Sequence, residues 1–353
     1  IQNGDTTMIN LETEIREQPR TIPNAIDLNL ETIREIVKKA KDKGVKHIYF
    51  AARGTSDHAC VYAQYLFGIF AGVPCTLGTP SVFTKYGAHI DLSDYLVVGV
   101  SQSGKAEDVL AVLESAKKDG AITVALTNNE ESPMAKCAEY HLFCGCGFEA
   151  SIAATKTFTA QMMILGVMAA VWGENDALLE EMRGVGAKAG ELIDTKFGEI
   201  EILAKKYQNI PGAVILGRGI SYSIALEGAL KMLETNKLKM KGYPTSDFHH
   251  GPIAQVKPGD LVFVISPKGK TEDDSNDIIG KLQNVGADIV VITDDAAQAP
   301  AATTAVVLPS TGSEFTFTHM AVIFFQLIAC CMTIVRGIDP DKAGVINKIT
   351  ITK

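Results

Sequence analysis

Hydrophobic residues along the chain form short runs rich in Val, Ile and Leu, and these runs alternate with longer amphipathic segments. The apolar runs HIYFAA and YLVVGV, for example, are each followed by a helical pattern, ACVYAQYLF and VLAVLESAKK. Strands that are apolar on both faces and joined through helices are typical of a parallel sheet with helices on each side. The pattern therefore predicts an α/β protein built from βαβ units.

The same pattern occurs twice along the chain. HIYFAARGTS ends at Ser56 and GAVILGRGIS ends at Ser221, and each Arg-Gly-x-Ser turn is followed by a helical pattern. Further equivalent pairs, at a nearly constant offset, are Gly54 and Gly219, Ser101 and Ser266, and Thr127 and Thr293. Internal repetition of this kind indicates two copies of one structural unit. We therefore expect two tandem, doubly wound α/β domains, each with a parallel sheet covered by helices.

Chain length agrees with this division, because 353 residues are enough for two domains of ~150 residues. We predict five segments along the chain. They are an N-terminal helical arm over 1–40, a first domain over 41–173, a charged helical linker over 174–207, a second domain over 208–336 and a C-terminal tail over 337–353 that contributes to the active site.

Acidic residues outnumber basic ones, 41 to 33, which gives a net charge of −8. Nucleic-acid binding depends on positive charge that neutralises phosphates, so this class of function has no global electrostatic support. An anionic ligand must therefore be held by local groups. The seven cysteines are odd in number and form no C-x-x-C pair, which is typical of reduced thiols in the cytoplasm and predicts no metal site.

The longest apolar stretch, Met320–Val335, is shorter than the ~20 residues of a membrane span and contains Gln326. We expect it to form a buried helix. No positively charged segment followed by an apolar one opens the chain. The sequence therefore predicts a cytoplasmic protein with no membrane partner.

Two turns rich in small and hydroxyl residues follow predicted strands of the first half. They are Gly54-Thr55-Ser56 and Ser101-Gln102-Ser103-Gly104. In an open parallel sheet, ligands bind beyond the carboxyl ends of the strands, where loops enter helices. Hydroxyls, free N–H groups and a helix N-terminus together suit a phosphate. Serine and glycine also cap helices for structural reasons alone, but two such turns in one half favour a phosphate site.

The second half has a different turn at the equivalent place. It keeps Gly219 and Ser221 but has Pro267 and Lys268 where the first half has Gln102 and Ser103. We therefore expect one complete phosphate cradle, in the first half.

Several motifs resemble the sugar isomerase (SIS) domain, namely the SQSG turn at Ser101, the GTS turn at Gly54 and the duplicated layout. The resemblance extends to the further motifs EQPR, EASIAATKTFTAQ, LGRG, ALEGALK, HGP and G-x-D-x-D. In order and spacing, this set is similar to the isomerase half of glutamine:fructose-6-phosphate amidotransferase. It spans nearly the whole chain and implies the fold and chemistry of that family.

In that family a glutaminase domain with an N-terminal cysteine precedes the isomerase half. The residues before the first predicted strand contain no cysteine here, so we expect no glutamine hydrolysis by that route. The chain resembles instead stand-alone members that act on amino-sugar phosphates or on sugar–amine adducts, which are glucosamine-6-phosphate deaminases and fructosamine-6-phosphate deglycases.

The resemblance also implies roles for single residues at the sugar. It assigns phosphate binding to Ser101, Gln102 and Ser103, and sugar contacts to Gly54, Thr55, Ser56 and Ile152. His250, in the HHGP segment, matches the histidine that opens the sugar ring. Imidazole suits this step because its pKa lies near neutrality. Lys348, in the tail, matches the lysine that forms a Schiff base with the ketose carbonyl.

Glu227, Lys231 and Glu234 have the spacing that places them on one face of a helix. From the residues alone, they form either a stripe of exposed ion pairs or part of a site. The resemblance implies that Glu234 transfers a proton between the first two sugar carbons. Lys231 would be a cation near the developing enediol oxygen, and Glu227 would belong to the substrate-binding set.

We therefore expect an enzyme that converts glucosamine-6-phosphate to fructose-6-phosphate and ammonia without a metal or other cofactor. The alternatives within enzymes are a fructosamine-6-phosphate deglycase and an ammonia-dependent glucosamine-6-phosphate synthase. An alternative of another class is a phosphosugar-binding regulatory module, but the presence of Glu234, His250 and Lys348 favours catalysis. The resemblance further implies a homodimer in which His250 of the partner subunit faces the serine turns.

Overall fold

The computed structural model describes residues 9–301, 303–342 and 348. The first half contains a sheet of five strands, β1 (His47–Ala51), β2 (Cys75–Leu77), β3 (Tyr95–Val100), β4 (Ile122–Thr127) and β5 (Tyr140–Phe143). Neighbouring strands are all parallel, and their spatial order is β2-β1-β3-β4-β5. This is one of the common orders of doubly wound sheets.

The second half repeats this arrangement. Its strands are β6 (Gly212–Gly217), β7 (Lys239–Pro244), β8 (Leu261–Ile265), β9 (Asp288–Thr293) and β10 (Thr304–Val307). They are again parallel, in the order β7-β6-β8-β9-β10. Numbered within its own half, this order is the same as that of the first sheet. The expected α/β fold of two tandem doubly wound units is therefore confirmed.

Twelve α-helices in the described part of the chain accompany the strands. Those up to the end of the first half are α1 (Asn10–Arg16), α2 (Gln18–Lys43), α3 (Thr55–Leu66), α4 (Ser81–Thr84), α5 (Glu107–Lys118), α6 (Pro133–Cys137) and α7 (Lys156–Trp172). Those that follow are α8 (Asp176–Lys206), α9 (Ser221–Asn236), α10 (Thr245–Phe248), α11 (Glu272–Val285) and α12 (Glu314–Val335). A π-helical turn covers Phe67–Ala71, and 3₁₀ turns cover Pro252–Gln255 and Ala296–Gln298.

The two halves share their largest hydrophobic cluster, which takes side chains from both sheets and from α2, α7, α8 and α12. Alternation along the strands divides residues between this shared core and the outer layers. In β3, Leu96 and Val98 pack into the shared core, whereas Val97 packs into an outer cluster with residues of α5. In β8, Phe263 packs into the shared core, whereas Val262 packs into an outer cluster of the second half. The shared core holds the two sheets together as one body.

α12 is long and apolar enough to cross a membrane, but 89% of its most apolar window is buried inside the protein. Phe324 and Phe325, near its centre, are both fully buried. The prediction of a buried helix over Met320–Val335 is therefore confirmed. The helix starts earlier than predicted, at Glu314, because the segment Thr316–His319 is also buried.

Candidate active site

The two serine turns of the first half lie at neighbouring strand ends. β1 and β3 are paired, with Phe50 opposite Val98, and β2 lies on the other side of β1. The chain therefore continues from β1 to one side of the sheet and from β3 to the other, and the strand order reverses between these two strands. Ligands of doubly wound sheets bind at such a switch point. The turn Gly54–Ser56 follows β1, and the turn Ser101–Gly104 follows β3. The structure thus brings together the two turns that the sequence singled out.

Gly54 shapes the first turn. Its φ is +55°, a left-handed conformation that strains residues with a side chain, and the equivalent Gly219 of the second half has a φ of +57°. Ser56 follows in the first turn of α3 and is 7% exposed. The backbone can therefore turn sharply from strand to helix and approach the switch point closely.

The second turn is fixed to the sheet by two hydrogen bonds. The Ser101 N–H donates to the carbonyl of Leu126 (3.1 Å), and the Asn128 N–H donates to the carbonyl of Gln102 (2.9 Å). Over the residues that the structure describes, the N–H groups of Gln102 and Ser103 donate no hydrogen bond. Both residues are half-buried. The turn therefore presents free N–H and hydroxyl donors, which suit a phosphate.

α9 carries Glu227, Lys231 and Glu234 on one face, as predicted. The Lys231 Nζ lies 3.2 Å from Glu227 Oε1 and 2.6 Å from Glu234 Oε2. The side chain of Glu227 is fully buried, that of Lys231 is 2% exposed and that of Glu234 is 19% exposed. The alternative of an exposed ion-pair stripe is therefore wrong: the three residues form a buried charged cluster.

Thr55 joins this cluster to the first turn. Its hydroxyl donates to Glu227 Oε1 at 3.2 Å and accepts a hydrogen bond from Lys231 Nζ at 3.2 Å. Burial acts to lower the pKa of Lys231, but the carboxylates of Glu227 and Glu234 outweigh it and raise that pKa above its usual range. Lys231 is therefore a permanent cation. The Thr55 hydrogen bonds also show that residues from both halves of the chain form one site.

His58 is a member of this site that the sequence analysis missed. It lies one turn after Thr55 in α3, and its Nδ1 is 2.7 Å from Glu227 Oε2. Its side chain is 17% exposed. The sequence contains one signal for it, because Thr55 and His58 are three residues apart and share a helix face. The contact with Glu227 itself joins the two halves and has no local pattern.

Lys348, the predicted tail lysine, lies against the loop that contains Ile152. Its Nζ is 2.9 Å from Glu149 Oε2 and donates to the carbonyl of Ser151 at 2.6 Å. Glu149 is fully buried and also accepts from the Thr155 N–H at 2.9 Å. Burial acts to raise the pKa of Glu149, but Lys348 and the hydrogen bonds outweigh it, so this pKa lies below its usual range. Lys348 is thus the cationic partner of a buried carboxylate.

His250 is exposed in the turn after α10, where its N–H donates to the carbonyl of Asp247 at 3.0 Å. Among the described residues, its side chain makes no hydrogen bond or ion pair with Glu227, Lys231 or Glu234. A single chain therefore does not connect His250 to the charged cluster. Its expected place in the site of a partner subunit stays a prediction.

No group of three His, Cys, Asp or Glu side chains within residues 9–301, 303–342 and 348 is placed to hold a metal ion. The site itself contains carboxylates and an ammonium. Through Thr55, the Gly54–Ser56 turn contacts an ammonium, Lys231, that also holds the carboxylate of Glu234. This arrangement can bind a phosphorylated sugar and move protons on it.

Comparison with known families agrees with this geometry. The family model described as the SIS domain matches residues 43–171 and 207–336, which contain the first and the second sheet. The chain belongs to the SIS domain family. The duplicated SIS architecture explains why the serine turns and the α9 cluster come from different halves of one chain.

Curated relatives of this SIS protein include the glutamine–fructose-6-phosphate aminotransferase (isomerizing) of Thermococcus kodakarensis. It is 31% identical over 337 residues, which cover 93% of this chain and 56% of the relative. The enzyme of the same name from Aquifex aeolicus is 37% identical over 259 residues, which cover 73% of this chain and 43% of the relative. The chain thus spans about half the length of the curated relatives that it matches.

Solved structures give the same result. The C-terminal domain of glucosamine-fructose-6-phosphate aminotransferase from Francisella tularensis has a TM-score of 0.86 and 25% identity, and the alignment covers 96% of this chain and 99% of that one. Tagatose-6-phosphate ketose/aldose isomerase from Escherichia coli has a TM-score of 0.83 over 98% of this chain and 99% of that one, but at 20% identity it shows the shared fold alone. The resemblance to the isomerase half of the amidotransferase is therefore confirmed.

Proposed function

We propose that this SIS protein is an enzyme that converts glucosamine-6-phosphate to fructose-6-phosphate and ammonia. The observation that carries the proposal is the buried cluster in which Lys231 lies between Glu227 and Glu234, joined through Thr55 to the serine turns. A module that only binds a phosphosugar needs the turns but has no use for this cluster. Buried charges are costly, so their presence at a ligand site supports catalysis.

The first SIS unit would hold the phosphate. The hydroxyls of Ser101 and Ser103 and the free N–H groups of Gln102 and Ser103 would donate to its oxygens. Donors fixed on a rigid turn bind an anion without reorganising. The sugar would then extend from this turn towards Thr55 and the cluster on α9.

The second SIS unit would supply the proton transfer. Its Glu234 carboxylate would take a proton from carbon 2 of the open-chain sugar and return it to carbon 1. Lys231 would orient that carboxylate through the 2.6 Å contact and stabilise negative charge on the enediol-like intermediate. This transfer leaves an imine at carbon 2, and its hydrolysis releases ammonia and the ketose.

Lys348 and His250 complete the proposal. Lys348, bound to Glu149 beside Ile152, would act as a cation near the sugar or, after losing its proton, as the amine of a Schiff base with the ketose. His250 would open the sugar ring in a homodimer. Its exposure on one chain is consistent with a position at a subunit interface.

The test is a screen of phosphorylated amino sugars with the purified protein, in which ammonia and released amines are measured. We expect ammonia and fructose-6-phosphate from glucosamine-6-phosphate. Release of an amino acid from its adduct with a 6-phosphosugar, and of no ammonia, would indicate the deglycase instead. Tight binding of phosphosugars without any turnover would overturn the enzymatic proposal and leave a regulatory module.

A further inference from the structure

His58 has a fixed orientation because of its partner. Its Nδ1 lies 2.7 Å from Glu227 Oε2, and Glu227 is fully buried. The other oxygen of that carboxylate, Oε1, accepts from Thr55 and contacts Lys231. An ionised carboxylate accepts hydrogen bonds and donates none. The proton of the His58–Glu227 contact therefore resides on Nδ1.

This arrangement leaves the second ring nitrogen free for chemistry. In the described ranges of the chain, Nε2 of His58 has no hydrogen-bond partner, and the side chain is 17% exposed. With Nδ1 protonated, Nε2 of the neutral imidazole has a lone pair and can accept a proton. A carboxylate that orients an imidazole in this way also stabilises its protonated form.

Several charged side chains surround His58. The cluster contains two carboxylates, Glu227 and Glu234, and one ammonium, Lys231. With a neutral His58 its net charge is −1, and a proton on Nε2 brings it to zero. Asp57, the preceding residue, adds another carboxyl group near the ring. A proton passed to Nε2 would therefore offset the excess negative charge of the cluster.

We propose that His58 is the acid–base catalyst of amine release, a step separate from the carbon-to-carbon proton transfer assigned to Glu234. The inference rests on the proposed function. Nε2 would take a proton from the attacking water as its oxygen bonds to the carbon of the protonated imine, and the π electrons of the C=N bond would move to nitrogen, which gives a neutral carbinolamine. The same proton would then pass to the amine nitrogen, which makes ammonia the leaving group. The C–N bond would break with its electron pair on nitrogen, and the carbinol O–H electrons would form the carbonyl as its proton leaves to water.

Two hydrogen-bonded pairs in one site support this separation of roles. Glu234 is held by Lys231 on α9, whereas His58 on α3 is held by Glu227 on α9. Each proton-transfer group therefore has its own orienting partner. A histidine that served only to neutralise Glu227 would not be needed, because Lys231 and Thr55 already contact that carboxylate.

The experiment measures two rates on the same sample of His58→Gln. One is the exchange of deuterium from carbon 2 of labelled glucosamine-6-phosphate, which reports the Glu234 step, and the other is ammonia release. A glutamine amide can still donate to Glu227 but cannot relay a proton. We expect ammonia release to fall about 100-fold and exchange to change by less than about two-fold, the pattern of a lost general acid–base group in one step. His58→Asn repeats the test with a shorter amide.

His89→Gln is the matched control, because His89 is 62% exposed and pairs with Asp119 at 3.5 Å. It should leave both rates at the wild-type level. Equal loss of exchange and release in both His58 variants would show a structural role for His58 and overturn the inference. Wild-type release in the His58 variants would overturn it while leaving the proposed function intact. Exchange without ammonia release by the wild-type protein would overturn both proposals together.

Discussion

The turns after β3 in the first SIS unit and β8 in the second occupy equivalent backbone positions but differ in the hydrogen-bond donors that they offer. In the first unit, the Ser101 N–H donates to Leu126 of the next strand, and in the second the Ser266 N–H donates to Ile292 in the same way. The next residue is Gln102 in the first unit, with a free N–H. In the second unit it is Pro267, which has no N–H to offer.

Carboxylates of the protein occupy the second turn. The Lys268 N–H donates to Asp294 Oδ1 at 2.8 Å, and the Lys270 N–H donates to Glu314 Oε1 at 3.1 Å. Glu314 is only 7% exposed and lies against Gly269. Carboxylates at this position accept the backbone N–H hydrogen bonds that a phosphate would need. Their negative charge would also repel a phosphate. The second turn is thus filled by the chain's own acids.

In the first unit, neutral amides stand at the positions equivalent to Asp294 and Asp295. Asn128 and Asn129 follow β4, whereas Asp294 and Asp295 follow β9. The difference shows how a duplicated fold can keep its architecture twice and an anion-binding turn once. Under the proposed function, the first unit binds the phosphate and the second supplies the acid–base residues on α9.

The strongest test of this division removes the acid–base group of the second unit. Glu234→Gln should lower kcat by at least ~10²-fold with little change in KM, because the carboxylate that moves the proton is lost and the phosphate turn is intact. Steady-state kinetics with glucosamine-6-phosphate measure both constants. Glu201→Gln, which removes a half-exposed carboxylate paired with Lys205 on α8, is the control. Normal turnover by Glu234→Gln would contradict the assignment.

The next test removes the hydroxyls of the first unit. Ser101→Ala/Ser103→Ala should raise KM by roughly 10-fold or more, because a hydrogen bond to a charged group contributes about 1.5–3 kcal/mol. kcat should change far less. Ser266→Ala is the matched control from the second unit, since Ser266 is the structural equivalent of Ser101 and is fully buried. Equal effects of the two changes on KM would remove the distinction between the turns.

The sequence predicted those parts of the molecule that depend on local pattern or on repetition. The two sheets follow from the repeated strand-turn-helix pattern, and the α9 cluster follows from helical spacing. His58 was missed because its partner, Glu227, lies in the other unit and no spacing rule connects them. The filling of the second turn by Glu314 was missed because Glu314 lies far along the chain from that turn and no spacing rule connects them. Pro267 and Lys268 nevertheless correctly indicated that this turn differs.

A third test asks whether the division extends across subunits. If His250 of the partner subunit completes each site, a mixture of His250→Ala and Ser101→Ala/Ser103→Ala chains should regain activity, because a hybrid dimer has one intact site. Random exchange between two chains of a symmetric dimer makes about half of the dimers hybrid. Since only one of the two sites in each hybrid is intact, about a quarter of wild-type activity is expected. Activity assays before and after subunit exchange measure it. A monomeric protein, or complete exchange without recovery, would contradict the shared site.

The smallest expected effect concerns stability alone and compares α7 with α12. Both contain Thr-Phe-Thr, followed by Ala160 in the first unit and by His319 in the second. His319 is fully buried, with its ring edge-on to Tyr62 at 5.8 Å between centroids, and burial lowers its pKa to about 4. In the unfolded chain a histidine has a pKa of about 6.5.

Between these two pKa values the unfolded chain binds a proton that the folded protein does not bind, so the free energy of unfolding falls as the pH falls. This residue should account for a loss of about 2 kcal/mol between pH 7 and pH 5. His319→Leu should remove that part of the pH dependence and leave turnover unchanged at neutral pH. Urea unfolding of both proteins at the two pH values measures the difference. If the free energy of unfolding depends on pH in the same way in the variant and in the wild-type protein, His319 is not a buried neutral imidazole in the folded state.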